Sequence, residues 1–201
     1  MNEPSDTRQS LLIRIRDTAD AVAWRQFVDL YGPLVYRYAR RRGLQDADAA
    51  DLMQDVLSSV VRVAGRYRYE PERGTFRGWL LTVARNKLHT FQSGRKKILG
   101  NGTAPEANEL AEKVVAAEDE AAWDREYEWQ VFSWAAEQVR GEFTASTWQA
   151  FWKTAVEGLA AGEAAKVVGL SVGAVYVAKS RVLARIREQI QDLSLDGLFE
   201  K

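Results

Sequence analysis

The sequence predicts an all-α fold: two small helical domains joined by a linker, the second a helix-turn-helix domain. Apolar residues recur at helical spacing along most of the chain, whereas the alternation of apolar and polar residues that is typical of strands never persists. A polar stretch with three glycines and one proline, SGRKKILGNGTAPEANE, follows the first set of helices. We therefore assign residues 1–97 to a first domain, 98–117 to the linker and 118–201 to the second domain.

Three helices are predicted in the first domain. The first covers about 20–42, where Gly32-Pro33 is expected to kink or split it because proline lacks an amide hydrogen. The second covers about 46–64 and the third about 75–92. Asp46 is expected to cap the second helix, and Thr75 is expected to cap the third.

Four helices are predicted in the second domain, over about 118–139, 144–157, 161–168 and 171–190. The first of them is acidic and rich in tryptophan, and Gly141 is expected to end it.

Charge is distributed unevenly, although the chain carries 28 basic and 28 acidic side chains and has no net charge. Residues 1–97 have a balance of +7, residues 98–140 have a balance of −7, and the remainder is neutral. Nucleic-acid binding depends on local clusters of cations rather than on the sum. The zero net charge therefore does not exclude a nucleic-acid partner.

The sequence has no pattern typical of an enzyme. There is no cysteine and one histidine, His89, and neither a phosphate-binding glycine loop nor a serine elbow is found. We expect no catalysis, no small-molecule substrate, no cofactor and no metal. The N-terminus lacks a signal pattern, and no apolar run approaches the roughly 18–20 residues that span a bilayer. A cytoplasmic protein without a membrane partner is predicted.

Residues 161–187 have the residue types of a helix-turn-helix motif. Ala165 is small at the expected helix crossing, and Gly169, four positions later, suits a turn that requires a positive φ. Ser171 is expected to cap the second helix, and Val175 to anchor it in the core.

The second helix of this motif is predicted to recognise DNA, because such helices place their N-terminal residues in the major groove. The expected DNA site comprises the capping Ser171, the base-proximal residues Gly173, Ala174, Tyr176, Val177 and Ser180, and the phosphate contacts Lys179, Arg181 and Arg185. The alternative is an amphipathic helical hairpin with a solvated basic face.

An acidic stripe is predicted on the helix over 46–64. Asp48, Asp51 and Asp55 lie at positions i, i+3 and i+7, which share one face, and Gln54 lies beside them. Like charges at this spacing repel, and a basic protein partner would neutralise them. The alternative is a solvated face, with Asp48 stabilised by the helix macrodipole.

Residues 66–91 interleave basic and aromatic side chains. Cations suit phosphates, and aromatic rings stack on unpaired bases. Phe76 and Trp79 could equally belong to the core, and Asn86 could bond a base edge or its own backbone. The candidate nucleic-acid contacts are Tyr67, Arg68, Tyr69, Arg73, Phe76, Arg77, Arg85, Asn86 and Lys87.

Three segments, in this order, resemble the extracytoplasmic-function sigma factors, the smallest members of the sigma-70 class. DADAADLMQDVL resembles the helix that binds the clamp coiled coil of the polymerase's largest subunit. FRGWLLTVARNKL resembles the helix that recognises the promoter −10 element, and EAAKVVGLSVGAV resembles the −35 helix-turn-helix. The resemblance covers about 20–97 and 118–190. It implies an alternative sigma factor that binds bacterial core RNA polymerase and promoter DNA, with an anti-sigma factor as a further candidate partner.

The resemblance also implies roles for individual residues. The clamp contacts would be Asp51, Gln54 and Asp55. The loop over 67–74, with Asn86, would form the pocket for one flipped −10 base. The backbone of the −10 element would be held by Arg77, Arg85 and Lys87.

Some positions depart from the family pattern. Ala50 stands where the family usually has an acid, and Ala174 and Tyr176 stand where it often has a threonine and a basic residue. The −35 sequence therefore does not follow from the resemblance. One rival hypothesis is a two-domain helix-turn-helix regulator whose N-terminal helices sense a ligand or partner. Another is an anti-sigma or adaptor protein that binds polymerase without DNA.

Overall fold

The structure, a computed structural model, describes residues 11–65, 75–98 and 109–193, with side chains at 11–65, 75–94 and 118–193. Within these ranges every regular element is helical, which confirms the predicted all-α class. A short 3-10 helix, Arg140–Glu142, follows the fifth α-helix. In chain order the α-helices are α1 (Leu11–Arg14), α2 (Ala21–Arg41), α3 (Asp46–Ala64), α4 (Phe76–Ile98), α5 (Glu109–Val139), α6 (Ala145–Ala155), α7 (Ala161–Val168) and α8 (Val172–Asp192).

The chain divides into two compact units. Over the described residues the first unit comprises 11–130 and the second 131–193. Helix α5 therefore contributes to both units. The sequence assigned residues 118–130 to the second domain, whereas their contacts group them with the first unit. The functional domain limits at 97 and 118 stay a prediction.

Helix α2 is the central helix of the first unit and packs most extensively against α3. It is continuous from Ala21 to Arg41, so the expected split at Pro33 does not occur. Proline cannot bond the carbonyl four residues earlier, which here belongs to Asp29. The side-chain amide of Gln130 on α5 donates to this Asp29 carbonyl at 3.2 Å. A distant side chain thus satisfies the backbone group that Pro33 leaves open.

Of the helix caps predicted in the first domain, one forms and one does not. The Thr75 hydroxyl accepts from the Gly78 amide at 3.2 Å, as expected of a cap. The expected cap by Asp46 is wrong, because Gln45 is the N-cap of α3 and Asp46 is the first helical residue. The Asp46 carboxylate instead accepts from the Tyr36 hydroxyl at 3.2 Å and pairs with Arg40 at 3.0 Å.

Two helices are longer than predicted, and both extend into the polar stretch between the predicted domains. Helix α4 extends to Ile98 rather than ending near Gln92, and α5 begins at Glu109 rather than at Glu118.

In the second unit α6 packs against both α7 and α8. Small side chains let these three helices approach closely. Their shared core is Ala150, Ala164, Ala165, Val175 and Ala178. Further along α8, Val182 and Ile186 continue the buried side, so that the opposite side of α8 faces solvent.

Candidate polymerase and nucleic-acid interfaces

The acidic stripe on α3 lies opposite its buried side. Asp51, Gln54 and Asp55 are exposed, and Asp48 is half-buried. Among the described residues, no basic side chain pairs with the carboxylates of Asp51 and Asp55. The charges of Asp51 and Asp55 are therefore left without an opposing charge from the described part of the chain, which is the arrangement that a basic partner would stabilise.

Helix α4 carries the basic residues of the second candidate site. The Nε of Arg77 lies 3.1 Å from the Asp124 carboxylate, and the Arg85 guanidinium lies 3.5 Å from the Glu120 carboxylate. Asn86 is exposed and Lys87 is half-buried. The four other candidates of the preceding loop lie outside the described residues: Tyr67, Arg68, Tyr69 and Arg73.

Phe76 requires a correction. It is only 1% exposed and packs edge-on against Phe27 and Tyr31, with ring centroids at 5.9 and 5.3 Å. A ring enclosed in this way has no free face for an unpaired base, so the core interpretation of Phe76 replaces the predicted nucleic-acid contact. Trp79 beside it, at 5.4 Å, is half-buried.

The helix-turn-helix motif has the predicted local geometry. Helices α7 and α8 meet at 98°, within the range of such motifs. Gly169 has φ +69° and ends α7, which confirms the expected turn. The Ser171 hydroxyl accepts from the Ala174 amide at 3.1 Å and caps α8.

The N-terminal turns of α8 present an exposed surface. Tyr176 is 62% exposed and Val177 57% exposed, although both are large apolar side chains. Gly173, Ser180 and Arg181 are also exposed, whereas Ala174 and Lys179 are half-buried. The residues predicted to lie nearest the bases are thus mostly accessible, and Val175 between them points into the core.

Arg185 differs from the other candidate phosphate contacts. Its Nε and Nη2 donate to the two carboxylate oxygens of Glu142 at 2.7 and 2.9 Å. This bidentate bond with Glu142 raises the pKa of Arg185 above its usual value. In the free chain, Arg185 is therefore engaged with an acid from the end of the preceding 3-10 helix.

Sequence reasoning missed three basic residues at the end of α2. Arg37 and Arg41 pair with Glu126, and Arg42 pairs with Asp119. The opposite charge balances of residues 1–97 and 98–140 are the one signal that could have suggested a contact between the two segments. They did not indicate which side chains meet.

Neither a metal centre nor a membrane span is found in the described part of the chain. No group of three or more His, Cys, Asp or Glu side chains in it is placed to bind a metal ion. No single helix within the described ranges has the length and apolarity of a membrane span; only α7 and α8 taken together do, across their 98° bend.

Comparison with known proteins gives a family match for part of the chain and two similar proteins. Residues 27–98, which include most of α2 and all of α3 and α4, match the model of the Sigma-70 region 2 family. The chain is 26% identical over 167 residues to the RNA polymerase sigma factor CnrH of Cupriavidus metallidurans, covering 82% of this chain and 84% of that protein. It is 29% identical over 110 residues to the ECF RNA polymerase sigma factor BldN of Streptomyces coelicolor, covering 54% of this chain and 41% of that one.

The region 2 match and the similarity to two RNA polymerase sigma factors agree with the resemblance to the extracytoplasmic-function sigma factors of the sigma-70 class. They support an alternative sigma factor for transcription initiation. Sigma factors are regulators that catalyse no reaction themselves. Among solved structures, the RsbN–BldN complex is similar over 89% of this chain and 99% of that chain, with 18% identity and a TM-score of 0.37.

Proposed function

We propose that the chain is an alternative sigma factor, which binds the clamp of core RNA polymerase through the acidic stripe on α3 and recognises two elements of promoter DNA through separate surfaces. Residues 1–97 would recognise the −10 element, chiefly through α4 and the loop before it. Residues 118–201 would recognise the −35 element through α8, with 98–117 as the linker. Since core RNA polymerase works in the cytoplasm, the proposal includes that location.

The observation that carries the proposal is the acidic stripe. It lies within the Sigma-70 region 2 match, Asp51, Gln54 and Asp55 are exposed, and Asp51 and Asp55 have no cationic partner among the described residues. A helix gains little stability from like charges on one face. A helix-turn-helix regulator that acts without polymerase has no need of this arrangement, so the stripe favours the sigma function over that rival.

The test of the clamp surface is a double charge reversal, Asp51→Lys with Asp55→Lys. The two new lysines would face a basic partner, and a contact between like charges costs several kcal/mol of binding free energy. Binding to core polymerase should therefore be abolished, while the helix content measured by circular dichroism stays native. The matched control is Asp29→Lys with Glu128→Lys, which changes the net charge equally at two other exposed acids. Undiminished binding of the α3 variant would show that the stripe does not contact the polymerase.

The promoter surfaces are tested in the reconstituted holoenzyme. Tyr176→Ala on α8 should change the base preference at one −35 position, because side chains in the major groove distinguish base pairs. Lys179→Gln should weaken binding to all −35 sequences alike, because a phosphate contact carries no sequence information. If neither change affects transcription from a selected promoter, α8 does not recognise the −35 element.

A further inference from the structure

The α5 acidic segment (residues 118–130) is packed onto α2 of the first unit. Trp123 is 1% exposed and lies edge-on to Tyr38, with ring centroids 5.6 Å apart. Tyr127 is 2% exposed and stacks on Tyr31 at 5.9 Å. Two buried aromatic rings of this size remove a large apolar area from water. The segment is therefore an integral part of the first unit in the free chain.

Around these rings, acids of the α5 acidic segment cover a cationic face of the first unit. We define the arginine face as Arg37 and Arg41 on α2, Arg42 directly after it, and Arg77 and Arg85 on α4. Arg41 lies 2.9 Å from the Glu126 carboxylate, and Arg85 lies 3.8 Å from that of Asp119. The remaining pairs are Arg37 with Glu126, Arg42 with Asp119, Arg77 with Asp124 and Arg85 with Glu120.

The arginine face continues the proposed −10 surface. Arg77 and Arg85 are two of the proposed phosphate contacts, and the exposed Asn86 lies on the same helix. Arginine binds carboxylates and phosphates with the same planar fork of donors. The acids of α5 thus occupy the donors that a nucleic-acid backbone would use.

The contacts that cover this face are individually replaceable. The paired side chains keep between 17% and 65% of their surface exposed, and ion pairs that remain in contact with solvent contribute little and are screened by salt. The Trp123 indole N–H is buried and has no hydrogen-bond acceptor among the described residues, which costs free energy as long as the segment stays packed.

We propose that the arginine face is a nucleic-acid backbone site that extends the −10 surface to Arg37, Arg41 and Arg42, and that the α5 acidic segment occupies it in the free chain. The aromatic contacts hold the segment in place, and the ion pairs determine which ligand replaces it: a polyanion with closely spaced charges. This inference rests on the proposed −10 role of α4. Single-stranded DNA is the ligand that the arginine face fits best, because its backbone carries closely spaced phosphates that match the planar donors of arginine.

The test compares single-stranded DNA binding by full-length variants. The neutralised variant combines four changes in the α5 acidic segment: Asp119→Asn, Glu120→Gln, Asp124→Asn and Glu126→Gln. The matched control neutralises four exposed acids that pair with no described residue: Asp29→Asn, Glu118→Gln, Glu128→Gln and Glu163→Gln. The probe is a fluorescent 20-nucleotide single strand, followed by anisotropy over a salt series. The neutralised variant should bind at least tenfold more tightly than the control.

Two further changes assign the gain to the arginine face. Arg41→Gln and Arg42→Gln, added to the neutralised variant, should remove most of the gain and lower the salt slope by about 1.4, since each phosphate contact on a single strand contributes about 0.7. Equal affinity of the neutralised variant and the control, or a gain that survives the loss of both arginines, would overturn the inference. Equally tight binding of polyglutamate would overturn the choice of nucleic acid as the ligand.

A measurement on the unaltered chain does not depend on the folding of any variant. Saturating single-stranded DNA should accelerate amide hydrogen exchange in residues 118–130, and unchanged exchange would overturn the displacement. Core polymerase binding is measured on the same samples. If the chain binds polymerase but the acids and arginines do not affect DNA binding, this inference fails and the proposed function stands. If the unaltered chain does not bind polymerase, the proposed function itself fails.

Discussion

Replacing Gly169 by alanine should destabilise the helix-turn-helix, whereas the same replacement at Gly173, four residues later, should stabilise it. A Cβ atom added at either position meets no other atom within 4 Å, so packing does not distinguish the two sites. The backbone does. Gly169 has φ +69° and ψ 32°, a left-handed conformation that costs a residue with a Cβ about 1–2 kcal/mol. Gly173 is the second residue of α8, where the helical backbone favours alanine over glycine by at most about 0.5–1 kcal/mol, the value for the middle of a helix.

The two variants should therefore differ by about 2 kcal/mol in the stability of the second unit. Native-state amide hydrogen exchange of the full chain, followed on peptides from α7 and α8, measures this difference directly. Since 1.4 kcal/mol is a factor of ten, exchange should be roughly tenfold faster for Gly169→Ala and slightly slower for Gly173→Ala. Gly169→Asn should lie between the wild type and Gly169→Ala, because asparagine tolerates the left-handed region.

A shift of both alanine variants in the same direction would refute this reasoning, because it would mean that the positive φ is not what requires glycine at the turn. Unchanged exchange in Gly169→Ala would show that the turn adapts to a Cβ without cost, in which case the 98° angle between α7 and α8 is set by the packing of their small side chains rather than by the turn.

Three further predictions concern other contacts. Phe76→Ala should lower the free energy of unfolding of the first unit by about 3–5 kcal/mol in urea titrations; a loss below about 1 kcal/mol would mean that the ring is not part of the core. The hydrogen bond from the Ala23 amide keeps the pKa of Asp20 below its usual 3.8, so ionised Asp20 stabilises the fold above that pH. The difference in thermal unfolding temperature between wild type and Asp20→Asn should therefore shrink as the pH falls below 3.8. Glu142→Gln should release Arg185 and tighten duplex DNA binding, and Arg185→Gln should lower the salt slope by about 0.9. An unchanged slope would show that Arg185 stays with Glu142 on DNA.

The sequence predicted most reliably the features that depend on residues a few positions apart. Gly169 and Ser171 determine a turn and a cap with partners no more than four residues away, so residue type and spacing suffice. The prediction that Asp46 caps α3 was wrong. The Asp46 carboxylate has other partners, Tyr36 and Arg40, and Gln45 occupies the N-cap position.

Features that join distant parts of the chain could not be predicted in the same way. The sequence did not decide whether Phe76 belongs to the core or contacts DNA, because the residues that enclose its ring lie on α2, about 50 residues earlier. The contact between Gln130 and the Asp29 carbonyl spans 101 residues, and no local pattern shows that it compensates for Pro33. The candidate sites follow the same rule: the sequence predicted which residues α8 exposes, but not that acids of α5 cover the basic residues of α4.

The arrangement of charge implies an order in which the partners bind. Beyond about one Debye length, 8–10 Å in physiological salt, a partner responds to the net charge of a region rather than to individual side chains. On the arginine face four acids oppose five arginines, so most of its positive charge is neutralised and its long-range attraction to DNA is reduced. The acids of the α3 stripe, in contrast, face outward, and Asp51 and Asp55 are not paired within the described part of the chain. Under the proposed function, a cationic surface on polymerase is therefore attracted before the DNA backbone is, because the unpaired acids lie on α3 and the arginine face is covered by the acids of α5.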